Sequence, residues 1–389
     1  MVVWLQNPFD GLPEEGGRKQ RYRMMAEALV AAGHRAVCFT SDFSHVRKAR
    51  RGGCCNGQDA RCPGIELRLV PTPSYTRNVG IRRILSHRAY ARAWERMAAD
   101  EARPDLIISS FPTISAAAAA IRLGRQLGAK VVIDMQDAWP ETFERLAPFG
   151  WRWLARLLLA PLRKQARRIF HEADWVTGVC DRYRELVGRP DYHRVYLGID
   201  TSSIPKKSRQ DSLSSNRPVQ LVYVGNLGRS SDLRTIVRAV EANSDFTLDV
   251  AGFGTFDGVS CNRIRFHGFL PAAELQALLQ RADIGVVPMA DDSWVGLPNK
   301  LFDYAAADLK IVSSLTGETA ALLKAGRCGE VYRPGDAASL AAAVRKAMRA
   351  GGSSRELCEE RFDAVRIYRE YAGKIAERFG CANGMAGEK

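Results

Sequence analysis

Residues Val295 to Tyr304 read VGLPNKLFDY, between an apolar run at Ile284–Val287 and another at Ile311–Ser314. Pro298 and Asn299 stand where a helix begins, Lys300 falls in its first turn, and Asp303 follows three residues later on roughly the same face. The opening turn of a helix presents unpaired N–H groups and the positive end of its dipole, so a lysine there completes a site for a diphosphate. Asp303, one turn on, can accept hydrogen bonds from ribose hydroxyls, as acidic residues do in other nucleotide-binding folds. An ordinary helix start with a solvated Lys and Asp would look the same in isolation. The order of elements around the segment favours the ligand site.

Outward from this unit the same alternation continues. Leu221–Val224 reads as a strand ending at Gly225, Asp232–Ala242 as a helix, Thr247–Ala251 as a strand, Pro271–Ala282 as a helix, and residues 311–350 hold two further strands and two helices. Residues 201–217, TSSIPKKSRQDSLSSNR, are polar and without apolar period, the composition of a linker. Before it, Val2–Leu5, Ala36–Thr40, Leu106–Ser110, Val131–Asp134 and Val176–Val179 read as buried strands, with Tyr22, Met25, Ala26 and Leu29 at helical spacing and Gly33 placed to end that helix. Strands alternating with helices imply parallel sheets. The expected fold is α/β, with two doubly wound, Rossmann-like domains facing across a cleft: residues 1–200, a linker at 201–217, residues 218–358, and a helical tail at 359–389 that crosses back to the first domain.

Size and charge agree with such a chain. Its 389 residues favour two domains. Residues 1–200 hold 32 Lys+Arg against 21 Asp+Glu, so +11 of the net +14 lies in the first half, which points to an anionic partner. No apolar stretch reaches the roughly 20 residues of a membrane span, and nine cysteines without a paired pattern suggest reduced thiols in a cytoplasmic protein. Cys54, Cys55 and Cys62 lack the spacing of a zinc site. Gly150–Phe170, GWRWLARLLLAPLRKQARRIF, mixes Trp151, Trp153 and leucines with Arg152, Arg156, Arg163, Lys164, Arg167 and Arg168. That is the composition of a helix lying on anionic membrane, and equally of a core helix with a basic outer face.

The run PNKLFDY, with the strand and Thr316-Gly317-Glu318 after it, resembles the donor segment of GT-B glycosyltransferases of family 4, in particular the bacterial polysaccharide group of capsule and O-antigen type, whose pattern reads Pro-Ser/Asn-Lys-x-Phe-Glu/Asp-Tyr. The likeness spans nearly the whole chain and is specific between about Val219 and Asp336. It implies that Pro298, Asn299 and Lys300 meet the donor diphosphate, that Asp303 meets the ribose, and that Gly317 and Glu318 lie at the phosphate or sugar end. LVYVGNLGRSSDL at Leu221–Leu233 resembles the family's first C-domain strand and glycine loop, which places Gly225, Asn226, Gly228 and Arg229 at the phosphates. VYRPGD at Val331–Asp336 matches the closing segment, and Leu197-Gly198-Ile199-Asp200 the turn that ends the first domain. Two departures are plain. The family's first acid of a pair seven residues apart falls at Val295, and Arg229 is the lone cation of its loop.

In the first half, Gly16-Gly17-Arg18 resembles the family's Gly-Gly turn near the donor phosphate and acceptor, and is also simply a flexible turn. IDMQDAWPE at Ile133–Glu141 resembles the Asp-x-Trp-Pro-Glu segment of the same group. Asp137 there either orients or deprotonates an acceptor hydroxyl, acting with Lys300 in catalysis, or caps the next helix. The resemblance implies a retaining transfer from a nucleoside diphosphate sugar to a saccharide or lipid-linked acceptor, in polysaccharide synthesis at the inner face of the membrane, with no cofactor and no obligatory metal. A GT-B sugar-nucleotide epimerase is the alternative enzyme. A basic nucleic-acid-binding α/β protein is the alternative of another class, and the cations lack a recognisable nucleic-acid module, so nucleic acid is not an expected partner.

Overall fold

The computed structural model describes residues 1–380 apart from 13–14, 16–18, 53–56, 59–61, 78–79, 146, 208–216, 229–230, 255, 257–260 and 291–292. The chain forms two compact α/β units, one of Met1–Val179, Tyr183–Tyr196 and the chain from Val365, the other of Cys180–Arg182 and Leu197–Ala364. Each has a parallel sheet.

In the first unit the strand order is His193–Arg194, Trp175–Gly178, Lys130–Met135, Leu106–Phe111, Val2–Gln6, Arg35–Ser41, Ile65–Val70 and Gly57–Gln58. All described neighbours run parallel except the last pair. Strands buried on both faces read as continuous apolar runs, and Leu106, Ile107 and Ile108 are fully buried. Helix Arg21–Ala31 turns Tyr22, Met25, Ala26 and Leu29 inward, and Gly33 follows it at φ 84°. Helix Arg152–Glu172 buries Ala166, Ile169 and Phe170, whereas Trp151, Trp153, Leu157 and Leu158 are each between 61% and 69% exposed. Its first turns are therefore not core. Helix Ala364–Phe379 supplies the buried Tyr368, Tyr371 and Ile375 to this unit, and Trp175 packs against Tyr371 and Phe379.

The second unit orders its six strands Ile264–Gly268, Phe246–Ala251, Val219–Val224, Ile284–Val287, Lys310–Ser313 and Gly329–Val331, all parallel. The chain goes outward from the central Val219–Val224 strand, then returns to build the other side from Ile284–Val287. That reversal is a topological switch point, and ligands of such sheets bind beyond the strand ends there. Helices Leu233–Ala242 and Ala337–Met348 cover one face, each begun by an aspartate: Asp232 accepts from Thr235 N, and Asp336 from Ser339 N. In the expected tail two helices occur, Ser354–Arg361 in this unit and Ala364–Phe379 in the other. Leu197–Asp200 is a structural turn: Gly198 has φ 66°, Ile199 pairs with Asp363, and Asp200 accepts from Ser202 N.

Candidate functional site

Helix Asn299–Ala306 begins at the switch point of the second unit, with Pro298 at its N-cap and no side chain capping its first amides. Its seat is set by Tyr304, fully buried, whose hydroxyl accepts from Val224 N at 2.8 Å and donates to Val286 O at 3.4 Å. One side chain thus ties the helix to the ends of both central strands. The ring needs Gly285 beneath it, where a Cβ would stand 2.3 Å from the ring. Phe302 packs edge-on against Phe362 at 4.8 Å.

So anchored, the helix places Lys300 over the first glycine loop. Its Nζ lies 4.1 Å from the centroid of the Tyr223 ring, and a Cβ on Gly225 would come within 3.2 Å of it. Burial pulls the Lys300 ammonium down to about 7, and no carboxylate among the described residues forms an ion pair with it. A cation desolvated beside uncapped helix amides is a site prepared for an anion. Tyr223 braces the loop by donating to Asn226 O at 2.6 Å, and Ser231 N donates to Gly228 O at 3.1 Å. Gly225, Asn226, Gly228, Pro298, Asn299 and Lys300 thus belong to one end of the sheet, while Arg229 lies outside the described residues. Asp303 is half-buried on the same helix.

A second glycine loop, unremarked in the sequence, completes this end. Gly252 and Gly254 hold φ 147° and 117°, a Cβ on Gly252 would stand 1.8 Å from Gly225 O, and Leu227 N donates to Phe253 O. The signal was the GFG that follows the Phe246–Ala251 strand. Gly317, at φ 64°, is the N-cap of helix Glu318–Ala325, and Glu318 Oε2 accepts from Asp181 N at 2.7 Å. At least one oxygen of that carboxylate is held by the protein itself.

In the first unit, Gly16, Gly17 and Arg18 lie outside the described residues, as do Cys54 and Cys55. Asp137 follows the Lys130–Met135 strand and accepts from Ala138 N at 2.8 Å and from the Trp139 indole at 3.0 Å. It does not cap the next helix, Glu141–Glu144, whose N-cap is Pro140 without a side-chain bond. Burial raises its carboxyl above the usual value, opposed by those two donors and by Arg83. A carboxylate so raised is fit to hold or take a proton.

Around it the fold gathers residues scattered over the first 140 positions. Arg83 lies over the rings of Trp139 and Phe9, at 4.5 and 5.4 Å, and Lys48 lies 4.7 Å over Tyr75. His87 stacks on Trp139 and accepts from Arg83, and His45 bonds Tyr75 Oη at 2.6 Å. Burial, then the neighbouring cations, hold His45 at about 4 and His87 at about 3, so both are neutral near pH 7. Among the described residues, the cations acting on these two rings are Lys48 and Arg83.

Residues 16–195 match the glycosyl transferase 4-like domain, and residues 218–350 match the glycosyl transferases group 1 domain. Glycogen synthases from two strains of Mycobacterium tuberculosis are 33% identical over 164 residues, 39% of this chain and 38% of theirs. The match therefore spans well under half of those relatives. Among solved structures, Anabaena HepE in complex with UDP-glucose aligns over 97% of this chain and 100% of its own at TM-score 0.65 and 15% identity. A glycosyltransferase from Rickettsia africae aligns over 97% of this chain and 98% of its own at TM-score 0.62 and 12% identity. At such identities the likeness establishes the fold, two parallel-sheet domains of the GT-B kind.

Proposed function

We propose that this chain, which carries both domains of a GT-B glycosyltransferase, moves a sugar from a nucleoside diphosphate to a hydroxyl of a saccharide or lipid-linked acceptor, with retention, in cell-surface polysaccharide synthesis. The observation that carries the reading is Lys300, half-buried with a depressed pKa at an uncapped helix start beside the Gly225 loop. HepE, a structural relative, was solved with UDP-glucose, which agrees with a sugar-nucleotide donor.

In this reading the donor diphosphate lies on the amides of the Asn299–Ala306 helix, with Lys300 on its oxygens and Asp303 toward the ribose. The acceptor oxygen bonds to the anomeric carbon as the bond from that carbon to the diphosphate breaks. The bonding pair leaves with the diphosphate, whose oxygen takes the hydroxyl proton. Lys300 and the helix dipole stabilise the charge that grows on the leaving group, a preorganised electrostatic contribution that needs no obligatory metal. Asp137 orients the acceptor hydroxyl from the first unit. The exposed Trp151, Trp153, Leu157 and Leu158, with the basic residues of the same helix, support weak attachment to an anionic membrane.

The test is to incubate the protein with a panel of nucleoside diphosphate sugars together with saccharide and prenyl-diphosphate-linked saccharide acceptors, and to follow nucleoside diphosphate release and the anomeric configuration of the glycoside formed. Release with retained configuration, undiminished by EDTA, is the expected outcome. Inversion would remove the retaining assignment, and failure of every donor to bind would remove the reading itself.

A further inference from the structure

The first unit contains a cavity of about 470 Å³ bounded by the start of helix Ile81–Met97, the start of helix Ile114–Leu127, the Trp139–Pro140 turn and the middle of helix Arg152–Glu172. Its size falls within the roughly 300–1,000 Å³ of small-molecule sites. The walls are mainly apolar, with Ile81, Ile84, Phe143, Leu159 and Leu162. The polar lining is different in kind. Arg83 and Arg88 face the cavity and no Asp or Glu lines it among the described residues, while the buried Ser115 hydroxyl, also on the wall, has no hydrogen-bond partner there.

We propose that this cavity takes the lipid phosphate of a lipid-linked acceptor, the chain lying among Ile81, Ile84, Leu159 and Leu162 and the phosphate meeting Arg83 and Arg88. The inference rests on the reading of the first unit as the acceptor side, and names the acceptor class. Two observations select an amphiphile over a free saccharide. An apolar wall with cations and no carboxylate complements a ligand that is apolar at one end and anionic at the other. The elements that form the cavity also expose apolar side chains: Ile81 is 75% exposed, Ile84 46% and Leu85 54% on one helix, with Trp151, Trp153, Leu157 and Leu158 at the beginning of the other. An acceptor dissolved in water has no use for such a surface, whereas one drawn from a bilayer does. Trp139 joins the cavity to the reacting group, since its ring lines the wall under Arg83 and its indole N–H donates to Asp137. A phosphate held at Arg83 therefore sets the attached sugar beside that carboxylate.

The experiment titrates the full chain, saturated with whichever nucleoside diphosphate of a panel binds best, with farnesyl diphosphate, farnesol and inorganic diphosphate, by calorimetry and tryptophan fluorescence. Farnesyl diphosphate is expected to bind at least about tenfold more tightly than either fragment, a difference of about 1.4 kcal/mol. Ile84→Glu, at an exposed position that leaves the fold intact, should lose at least that factor by placing a carboxylate on the apolar wall. Arg83→Gln/Arg88→Gln should reduce farnesyl diphosphate to the affinity of farnesol, with the melting temperatures of both variants measured alongside. Inorganic diphosphate binding as well as farnesyl diphosphate would make this a free-phosphate site and overturn the proposal, as would unchanged affinity in Ile84→Glu. Nucleoside diphosphate binding without farnesyl diphosphate binding overturns the lipid pocket alone. Binding of neither overturns the glycosyltransferase reading with it.

Discussion

At the scale of the residue, Lys300 carries the greatest weight, and its protonation makes the donor site testable without knowing the sugar. Burial holds the ammonium down at about 7, so near pH 8 most of the unliganded protein has it neutral. A bound diphosphate favours the charged form and raises that value. Nucleoside diphosphate binding at pH 8 should then be accompanied by uptake of close to one proton, seen as a dependence of calorimetric heat on buffer ionisation enthalpy. Affinity should strengthen as pH falls toward about 7 and level off below it. Lys300→Ala should abolish the uptake and lower kcat/KM by about 2 to 4 kcal/mol of transition-state stabilisation, with little change in melting temperature. Near-parental turnover and unchanged proton uptake would place the diphosphate elsewhere. Lys300 was legible in the sequence because a helix start is written locally, in Pro298 and the residues after it. The Arg83, His45, His87, Lys48 and Tyr75 cluster was not, since its members are neighbours only once separate loops and a helix have packed around Phe9 and Trp139.

Among the elements, the Arg152–Glu172 helix is where composition left two readings open and exposure distinguishes its halves. Its last turns pack through Ala166, Ile169 and Phe170, and its first turns present Trp and Leu to solvent. Arg156 and Arg163 are engaged by Glu144, so the opposite stripe is partly neutralised and binding to lipid should be weak. Sedimentation with anionic liposomes is expected to carry the parent down and to fall severalfold for Trp151→Ala/Trp153→Ala, since each aromatic body contributes buried apolar area at the headgroup boundary. Equal pelleting would make the exposed turns a surface without a lipid role. Element legibility followed burial in the same way. Strands sealed on both faces, such as Leu106–Phe111, stand out as apolar runs, whereas Ile264–Gly268 reads IRFHG with four of its five residues exposed and gives no such run. That edge strand is defined by its pairing with Phe246–Ala251, which a local pattern does not contain.

For the whole molecule, the chain's path makes its end part of its beginning: after leaving the first unit at Leu197 it re-enters at Val365. The return is fastened at a buried polar centre. Arg21 and Asp134 form a two-bond pair at 2.8 and 2.9 Å with side chains at most 3% exposed. Thr177 adds a hydrogen bond to Asp134, and Arg21 also donates to Tyr196 O and to the Tyr368 hydroxyl on the final helix. One guanidinium thereby joins the first helix, the sheet and the last helix. Replacing both members of such a pair by apolar residues is often nearly neutral, whereas removing one strands a buried charge at about 3 to 5 kcal/mol. Asp134→Leu should accordingly lower the stability of the first unit by that amount, Arg21→Met/Asp134→Leu should recover much of it, and Tyr368→Phe should cost about 1 kcal/mol for the lost bond from Arg21. Since a chain of two units need not melt in one step, the measurement is denaturant unfolding followed by hydrogen exchange at amides of the Lys130–Met135 and Trp175–Gly178 strands, which report this unit directly. If the single variant is no less stable than the double, the centre is not an obligatory pair, and the final helix is held chiefly by Tyr371, Ile375, the Trp175 contacts and the Arg378–Asp191 pair.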